Sequence, residues 1–134
     1  MAYGTLKSDV VQSSTAGTPP QFNDGNGTQT GTLCRAWVNF NGTGAVAIRA
    51  SFNVSSITDN GTGDYTVNFT NALPDANYVV SGSAALNGTG SGGSLNAARF
   101  IGQYSATTSA CRVVTCYANI TQDDPAYVQI AIFR

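Results

Sequence analysis

The sequence contains no histidine and no glutamate, and charge of either sign is sparse. Six lysine and arginine residues stand against seven aspartates, which gives a net charge of −1 over 134 residues. Without histidine, neither a Ser-His-Asp triad nor a Cys-His pair can form. Nucleic-acid binding needs clustered cations to neutralise phosphates, and the basic residues here are scattered along the chain. We therefore expect no histidine-dependent hydrolase and no nucleic-acid partner.

Long apolar runs are also lacking. None approaches the ~20 residues that a membrane-spanning helix needs, and the first residues lack the apolar stretch of a secretory leader. We therefore expect neither membrane insertion nor Sec-dependent export. The three cysteines, Cys34, Cys111 and Cys116, are an odd number. Cys111 and Cys116 could form a disulfide, but we favour buried free thiols in a protein made in a reducing cytoplasm. Zinc is not expected either, because the sequence offers no CxxC motif and no histidine.

Glycine, asparagine, serine, threonine and valine dominate instead, and they favour strands and turns over helices. The segment from Cys34 to Asn41 alternates with the period of a strand. Its alternation puts Ala36, Val38 and Phe40 on one face, and Arg35, Trp37 and Asn39 on the other. Asn41-Gly42 then has the residue types that a tight hairpin turn requires.

The next segments continue the pattern. Val46, Ile48, Phe52 and Val54 are expected to return to the apolar face. Tyr65, Val67 and Phe69 alternate cleanly with Asp64, Thr66 and Asn68, so a slip of one residue would expose three large apolar side chains. Near the end of the chain, AYVQIAIF is apolar on both faces, which indicates a central strand or one that another subunit covers.

Counting these segments predicts seven or eight strands between residues 34 and 134, with turn signals every eight to twelve residues. That spacing is typical of an antiparallel, jelly-roll-like β-sandwich, and the predicted fold class is all-β. The run from Ser81 to Asn96 is rich in glycine and is predicted to be a long exposed loop. Residues 1–33 are polar, and they are interpreted either as a flexible tail or as an extended arm that orders against a neighbour.

The region from residue 33 to 80 carries a resemblance to a known family. The runs CRAWVNFNGTG, SFNVSSITDNGTGDYTVNFT and ALPDANY resemble a module near the C-terminus of tail-fibre and other structural proteins of tailed bacteriophages. The run YGTLKSDVVQSSTAGTPP, from Tyr3 to Pro20, is similar to the start of small phage fibre-like proteins. This resemblance implies a virion component, usually a homotrimer with a host-facing tip, and it carries no catalytic residue.

Together, the residues and the resemblance predict a non-enzymatic virion protein without cofactor or metal, made in the bacterial host cytoplasm. We expect a homotrimeric tail-fibre or tip protein that contacts other virion proteins through its N-terminal arm and, at its tip, a host surface glycan. Trp37 is interpreted as an interface residue, with core packing and sugar stacking as alternatives. The residues expected to act fall into three groups: interface, Arg35, Trp37, Tyr127 and Phe133; attachment, Tyr3, Leu6, Val10 and Val11; receptor-facing loop, Leu86, Asn87 and Thr89.

Other functions stay open at this point. A head-decoration or tail-adaptor protein would use the same module for assembly alone, and a secreted sandwich lectin would bind glycans as a monomer. A glycan-cleaving tailspike would need a pair of carboxylates as acid and nucleophile or base, which Asp59 with Asp64 or Asp123 with Asp124 could supply. All four, however, occupy ordinary turn positions for aspartate. The DNGTGD run also lacks the oxygen ligands of a calcium loop, because Gly61 and Gly63 occupy two of the required places.

Overall fold

We analysed a computed structural model of the chain. It describes residues 34–85, 99–116 and 121–134 throughout; among the first 33 residues it describes Ser8, Val10, Gln12, Ser14 and the backbone of two short strands. The chain divides into two compact units, Met1–Leu33 and Cys34–Arg134. In the first unit, β1 (Gln21–Asn23) and β2 (Thr28–Thr30) pair as an antiparallel hairpin. Whether this unit serves as an attachment arm stays a prediction.

The second unit consists of eight strands in two antiparallel four-stranded sheets, and its described residues contain no helix. The first sheet has the order β4 (Ala47–Phe52), β3 (Cys34–Asn41), β10 (Tyr127–Phe133) and β7 (Val79–Ala85). The second has the order β5 (Val54–Gly61), β6 (Asp64–Phe69), β9 (Ala110–Cys116) and β8 (Phe100–Ala106). The predicted β-sandwich is confirmed, and its hairpins β3–β4, β5–β6 and β8–β9 each stay within one sheet.

The core lies between the two sheets and follows the alternation of the sequence. From the first sheet it receives the buried side chains of β3 and β10, and from the second those of β6 and β9. The Phe40 ring meets the Tyr65 ring edge to face at 5.1 Å between centroids. This contact between rings of different sheets joins the two layers. The buried core residues on these four strands are Ala36, Val38, Phe40, Val128, Ile130, Ile132, Tyr65, Val67, Phe69, Cys111 and Val113.

A hydrogen-bonded loop closes one end of the sandwich. The Asp124 carboxylate accepts hydrogen bonds from the Tyr65 hydroxyl at 2.8 Å and from the Gly63 amide at 2.7 Å. The Thr115 hydroxyl donates to the carbonyl of Asp123 at 2.7 Å, and the Gly42 amide donates to that of Pro125 at 2.9 Å. Burial, together with the Asp124 carboxylate, raises the pKa of Tyr65 far above its ordinary value. The loop at residues 123–125 therefore ties the β3–β4 turn of the first sheet to β6 and β9 of the second.

The three thiols are free, as expected, but burial was predicted for all three and is found only for Cys111, because Cys34 and Cys116 are partly exposed. Cys111 is buried in the core, and its burial raises the pKa of the thiol. Cys116 ends the same strand and is partly exposed. Alternation along β9 points residues 111 and 116 to opposite faces of the sheet, so the strand itself keeps these two sulfurs apart.

Two expectations about strand position were wrong. Ile48 and Phe52 are exposed, because β4 is an edge strand whose pairing with β3 shifts register between Asn39 and Phe40. The predicted loop from Ser81 to Asn96 also begins too early. Residues 81–85 continue β7 and pair with β10, since backbone hydrogen bonds need no apolar alternation. The residues that follow, 86–98, lie outside the described part of the chain.

Candidate subunit interface

The outer face of the first sheet carries a row of apolar side chains. Trp37 points outward because its neighbours Ala36 and Val38 are buried. Its cross-strand partners are Phe52 on β4 and Ala131 on β10, and side chains of directly opposed residues lie on the same face. Phe133 on β10 pairs with Val79 on β7 in the same way. This surface, consisting of Trp37, Phe52, Val79, Ala131 and Phe133, is called the apolar row below.

The apolar row is exposed within one copy of the chain. The exposed fraction is 40% for Trp37, 54% for Phe52, 37% for Phe133 and 67% for Val79. Single exposed apolar residues are ordinary, but a contiguous group of large ones marks a surface that another molecule covers. The exposure of Trp37 also excludes the alternative that it belongs to the core of one subunit.

Two arginines flank this row on the same face. The Arg49 guanidinium lies 4.1 Å from the centroid of the Tyr127 ring and donates a long hydrogen bond of 3.4 Å to the Asn39 side-chain oxygen. Arg35 is exposed two residues before Trp37 on β3. Among the described residues of 34–134, neither arginine forms an ion pair. Aromatic residues and arginine on one face form the combination that is enriched in the centres of protein interfaces.

Asn53 is the local reason why Phe52 reaches this face. It has a φ of 55°, in the left-handed region that asparagine tolerates better than most residues. Its amide donates hydrogen bonds to the carbonyls of Arg35 at 3.0 Å and Asn71 at 3.1 Å, and its side-chain oxygen accepts one from the Asn71 amide at 2.8 Å. The chain therefore leaves the first sheet after Phe52 and enters the second at Val54. Phe52 therefore points outward, and Val54 points into the core.

The second sheet shows a different outer surface on β5 and β6. The Asn68 amide donates to the hydroxyls of Ser56 at 3.1 Å and Thr58 at 2.9 Å. The Asn60 amide donates to Thr66 at 2.9 Å and to the Asp64 carboxylate at 3.3 Å. These side chains satisfy hydrogen-bonding groups of one another without a partner molecule. Compared with β5 and β6, the apolar row of the first sheet is the stronger candidate for a contact between subunits; on the second sheet, the exposed aromatic residues Phe100 and Tyr104 lie on β8.

The structure places the predicted site residues as follows. All four predicted interface residues, Arg35, Trp37, Tyr127 and Phe133, lie on strands of the first sheet at outward positions. Among the predicted attachment residues, Val10 is exposed, whereas Tyr3, Leu6 and Val11 lie outside the described residues. Leu86, Asn87 and Thr89, the predicted receptor-facing residues, lie outside them as well. Phe52 and Val79 were missed; in the structure, the partly buried Val80 packs against the core, so strand alternation points Val79 outward.

The candidate carboxylate pairs each have a structural partner. Asp64 forms two hydrogen bonds with the Arg112 guanidinium, at 2.8 and 2.6 Å, and Asp123 forms an ion pair with Arg99 at 2.7 Å. The Asp59 carboxylate accepts a hydrogen bond from the Gly61 amide at 2.9 Å, the usual arrangement of an aspartate in a turn. Across the described ranges, no cluster of three or more cysteine and aspartate residues is suited to hold a metal ion.

The Asp64–Arg112 pair gives a prediction for pH dependence. Hydrogen bonding to Arg112 holds the pKa of Asp64 below its ordinary value of 3.8, against the opposing effect of burial. The pair therefore stabilises the fold above that value, and this contribution disappears as the pH falls through the lowered pKa. We expect Arg112→Gln to raise the pKa of Asp64 and to weaken the loss of stability in acid. An NMR titration of the carboxyl carbons, with Arg134→Gln as the control, measures this. An unchanged Asp64 titration in Arg112→Gln would contradict it.

Comparisons with known proteins found no matching family model, no similar curated protein and no similar solved structure. Within the described residues, none of the structure forms a helix long and apolar enough to cross a membrane. The geometry of the first sheet is therefore the main guide to function, together with the sequence resemblance.

Proposed function

We propose that this chain is a non-enzymatic structural protein of a phage virion that assembles as a homotrimer, as a tail-fibre or tip protein. The observation that carries the proposal is the apolar row, flanked by two arginines, on the outer face of the first sheet. The resemblance of residues 33–80 to phage tail-fibre modules supports the same function. In this proposal, neighbouring copies cover the apolar row, the predicted arm contacts the virion, and residues 86–98 contact the host.

Light scattering of the purified full chain tests the assembly. We expect a mass of about three times the 13.8 kDa of one chain. Replacing both Trp37 and Phe52 by serine should shift the protein towards monomer, since central aromatic residues of an interface each contribute roughly 2 kcal/mol or more to association. Tyr104→Ser is a matched control, because Tyr104 is an exposed aromatic residue on β8 of the other sheet.

A parent protein that is monomeric at all concentrations would contradict the proposal. A head-decoration module or a lectin-like sandwich would then account better for the fold. Trimers that persist in the Trp37→Ser, Phe52→Ser variant would place the interface elsewhere on the chain. Contact with a host glycan through Leu86, Asn87 and Thr89 is a separate part of the proposal, and binding of the parent protein to host-surface polysaccharide tests it.

A further inference from the structure

Six of the ten charged side chains of residues 34–134 form ion pairs within this part of the chain. This part of the chain holds five arginines, at 35, 49, 99, 112 and 134, and five aspartates, at 59, 64, 75, 123 and 124. Ion pairs join Arg99 to Asp123, Arg112 to Asp64 and Arg134 to Asp75, at 2.6–2.7 Å. Asp124 instead accepts hydrogen bonds from Tyr65 and Gly63. The groups left without an ion pair or a buried hydroxyl partner are Arg35, Arg49 and Asp59.

The two remaining arginines share the face of the apolar row, and no aspartate lies on the strands of this sheet. If two copies met through this face by two-fold symmetry, four guanidinium groups would be brought together without a carboxylate. Like charges that face each other across an interface are strongly unfavourable. The charge distribution therefore disfavours a self-complementary contact and favours one in which this face meets a different surface of the next copy.

Asp59 provides the complementary charge. It is exposed near the end of β5, the edge strand of the second sheet, and its Oδ1 atom is held by the Gly61 amide at 2.9 Å. A carboxylate oriented in this way loses little freedom when it pairs with a guanidinium. The backbone of an edge strand also presents unpaired hydrogen-bonding groups, which a neighbouring molecule can cover. The β5 edge is therefore suited to meet the arginine-flanked face of another copy.

The relative placement of these two surfaces determines whether an assembly of copies can close into a ring. One is the outer face of the first sheet and the other is an edge of the second sheet, so they are neither the same surface nor back to back. Head-to-tail contacts between such surfaces turn from copy to copy and can close into a small ring, whereas opposite surfaces would build a filament.

From these observations we infer that the copies assemble head to tail, with the apolar row and Arg35 and Arg49 of one copy against the β5 edge and Asp59 of the next. This inference rests on the proposed homotrimer and specifies its contact. The apolar row supplies the buried area, and the Arg–Asp pairs set the partner surface and its register.

Charge reversal in the full chain tests the contact. We expect Asp59→Arg and Arg35→Asp, each alone, to weaken association at least tenfold in light scattering over a concentration series. The double variant Arg35→Asp, Asp59→Arg, or its counterpart with Arg49→Asp, should recover most of the lost association. Asp75→Arg is the control: it makes the same charge change at an aspartate that is already paired with Arg134, and it should leave association unchanged. Thermal melts establish that each variant is folded.

The outcomes separate this inference from the proposed function. A trimer that is insensitive to every reversal, or single variants that no double variant rescues, would overturn the head-to-tail contact and leave the trimer in place. Rescue of Arg35→Asp by Asp9→Arg or Asp24→Arg, and not by Asp59→Arg, would move the partner carboxylate to residues 1–33 and overturn the assignment of Asp59. A monomeric parent protein would overturn both proposals. If acidic oligosaccharides restored the association of a charge-reversal variant, the arginines would be assigned to binding an anionic ligand. That result would overturn the contact between copies.

Discussion

Replacing Phe40 by alanine is expected to destabilise the folded chain by roughly 3–5 kcal/mol, the usual range for removing a buried phenylalanine. The Phe40 side chain is completely buried on β3, in the core between the two sheets. Its removal leaves a cavity and takes away the edge-to-face contact with the Tyr65 ring. Because the neighbouring residues belong to strands of two different sheets, the cavity cannot close without moving one layer against the other.

Phe52→Ala is the matched control for this experiment. It removes the same side chain from an exposed position on the edge strand β4, where little buried area is lost. We expect it to change the unfolding free energy by less than about 1 kcal/mol. Urea denaturation at protein concentrations too low for assembly measures both variants. Similar losses at the two positions would contradict the assignment of Phe40 to the core and Phe52 to the surface.

Gly63→Ala should be the next most damaging substitution, at roughly 3 kcal/mol, because it combines backbone strain with overpacking. Gly63 has a φ of +66°, and a Cβ atom there would lie 2.6 Å from the carbonyl oxygen of Thr115 and 2.8 Å from that of Asp123. Hydrogen bonds restrain the backbone around both oxygens, so neither can move away easily from the added Cβ atom. The Thr115 amide donates to the carbonyl of Gly63 at 2.7 Å, and the Thr115 hydroxyl holds the carbonyl of Asp123.

Gly44→Ala separates the two contributions. Gly44 has almost the same φ, +64°, but no heavy atom lies within 4 Å of the position its Cβ would take. The backbone strain is therefore similar, and we expect a loss of only about 1 kcal/mol. The difference between the two variants in urea denaturation reports the steric contribution alone. Equal losses of unfolding free energy in the two variants would mean that the loop at residues 123–125 shifts readily to make room for the Cβ atom. The loop would then not hold the two sheets together.

Much of the fold could be predicted because two strands show their burial directly in the sequence. On β3 and β6, large apolar residues alternate with polar ones, and the structure buries every second residue as expected. The edge strand β4 carried a misleading signal. Ile48 and Phe52 look like core residues, but their positions depend on a register shift against β3 and on the left-handed turn at Asn53. Neither feature follows from the period of a single strand.

Part of the candidate interface could also be predicted from the alternation of side chains along a strand. Trp37 and Arg35 point away from the core face by simple alternation, and the structure places both on the outer face of a sheet. Their long-range neighbours could not be predicted, because the pairing of β3 with β10 and of β10 with β7 joins residues that are distant in sequence. Only this pairing brings Trp37 beside Ala131 and Phe133 beside Val79. The charge balance that distinguishes Arg35 and Arg49 likewise required knowing which aspartates the other arginines hold.

The buried thiol of Cys111 is a built-in chemical probe for the opening of the sandwich. The thiolate is the form of cysteine that attacks an electrophilic thiol reagent, and both the burial of Cys111 and its raised pKa disfavour this reaction while the sheets are in contact. Cys34 and Cys116 are partly accessible and lie outside this protection. We therefore expect modification of Cys111 to be slow, and its rate to report how often the two sheets separate, in a chain that carries no added label.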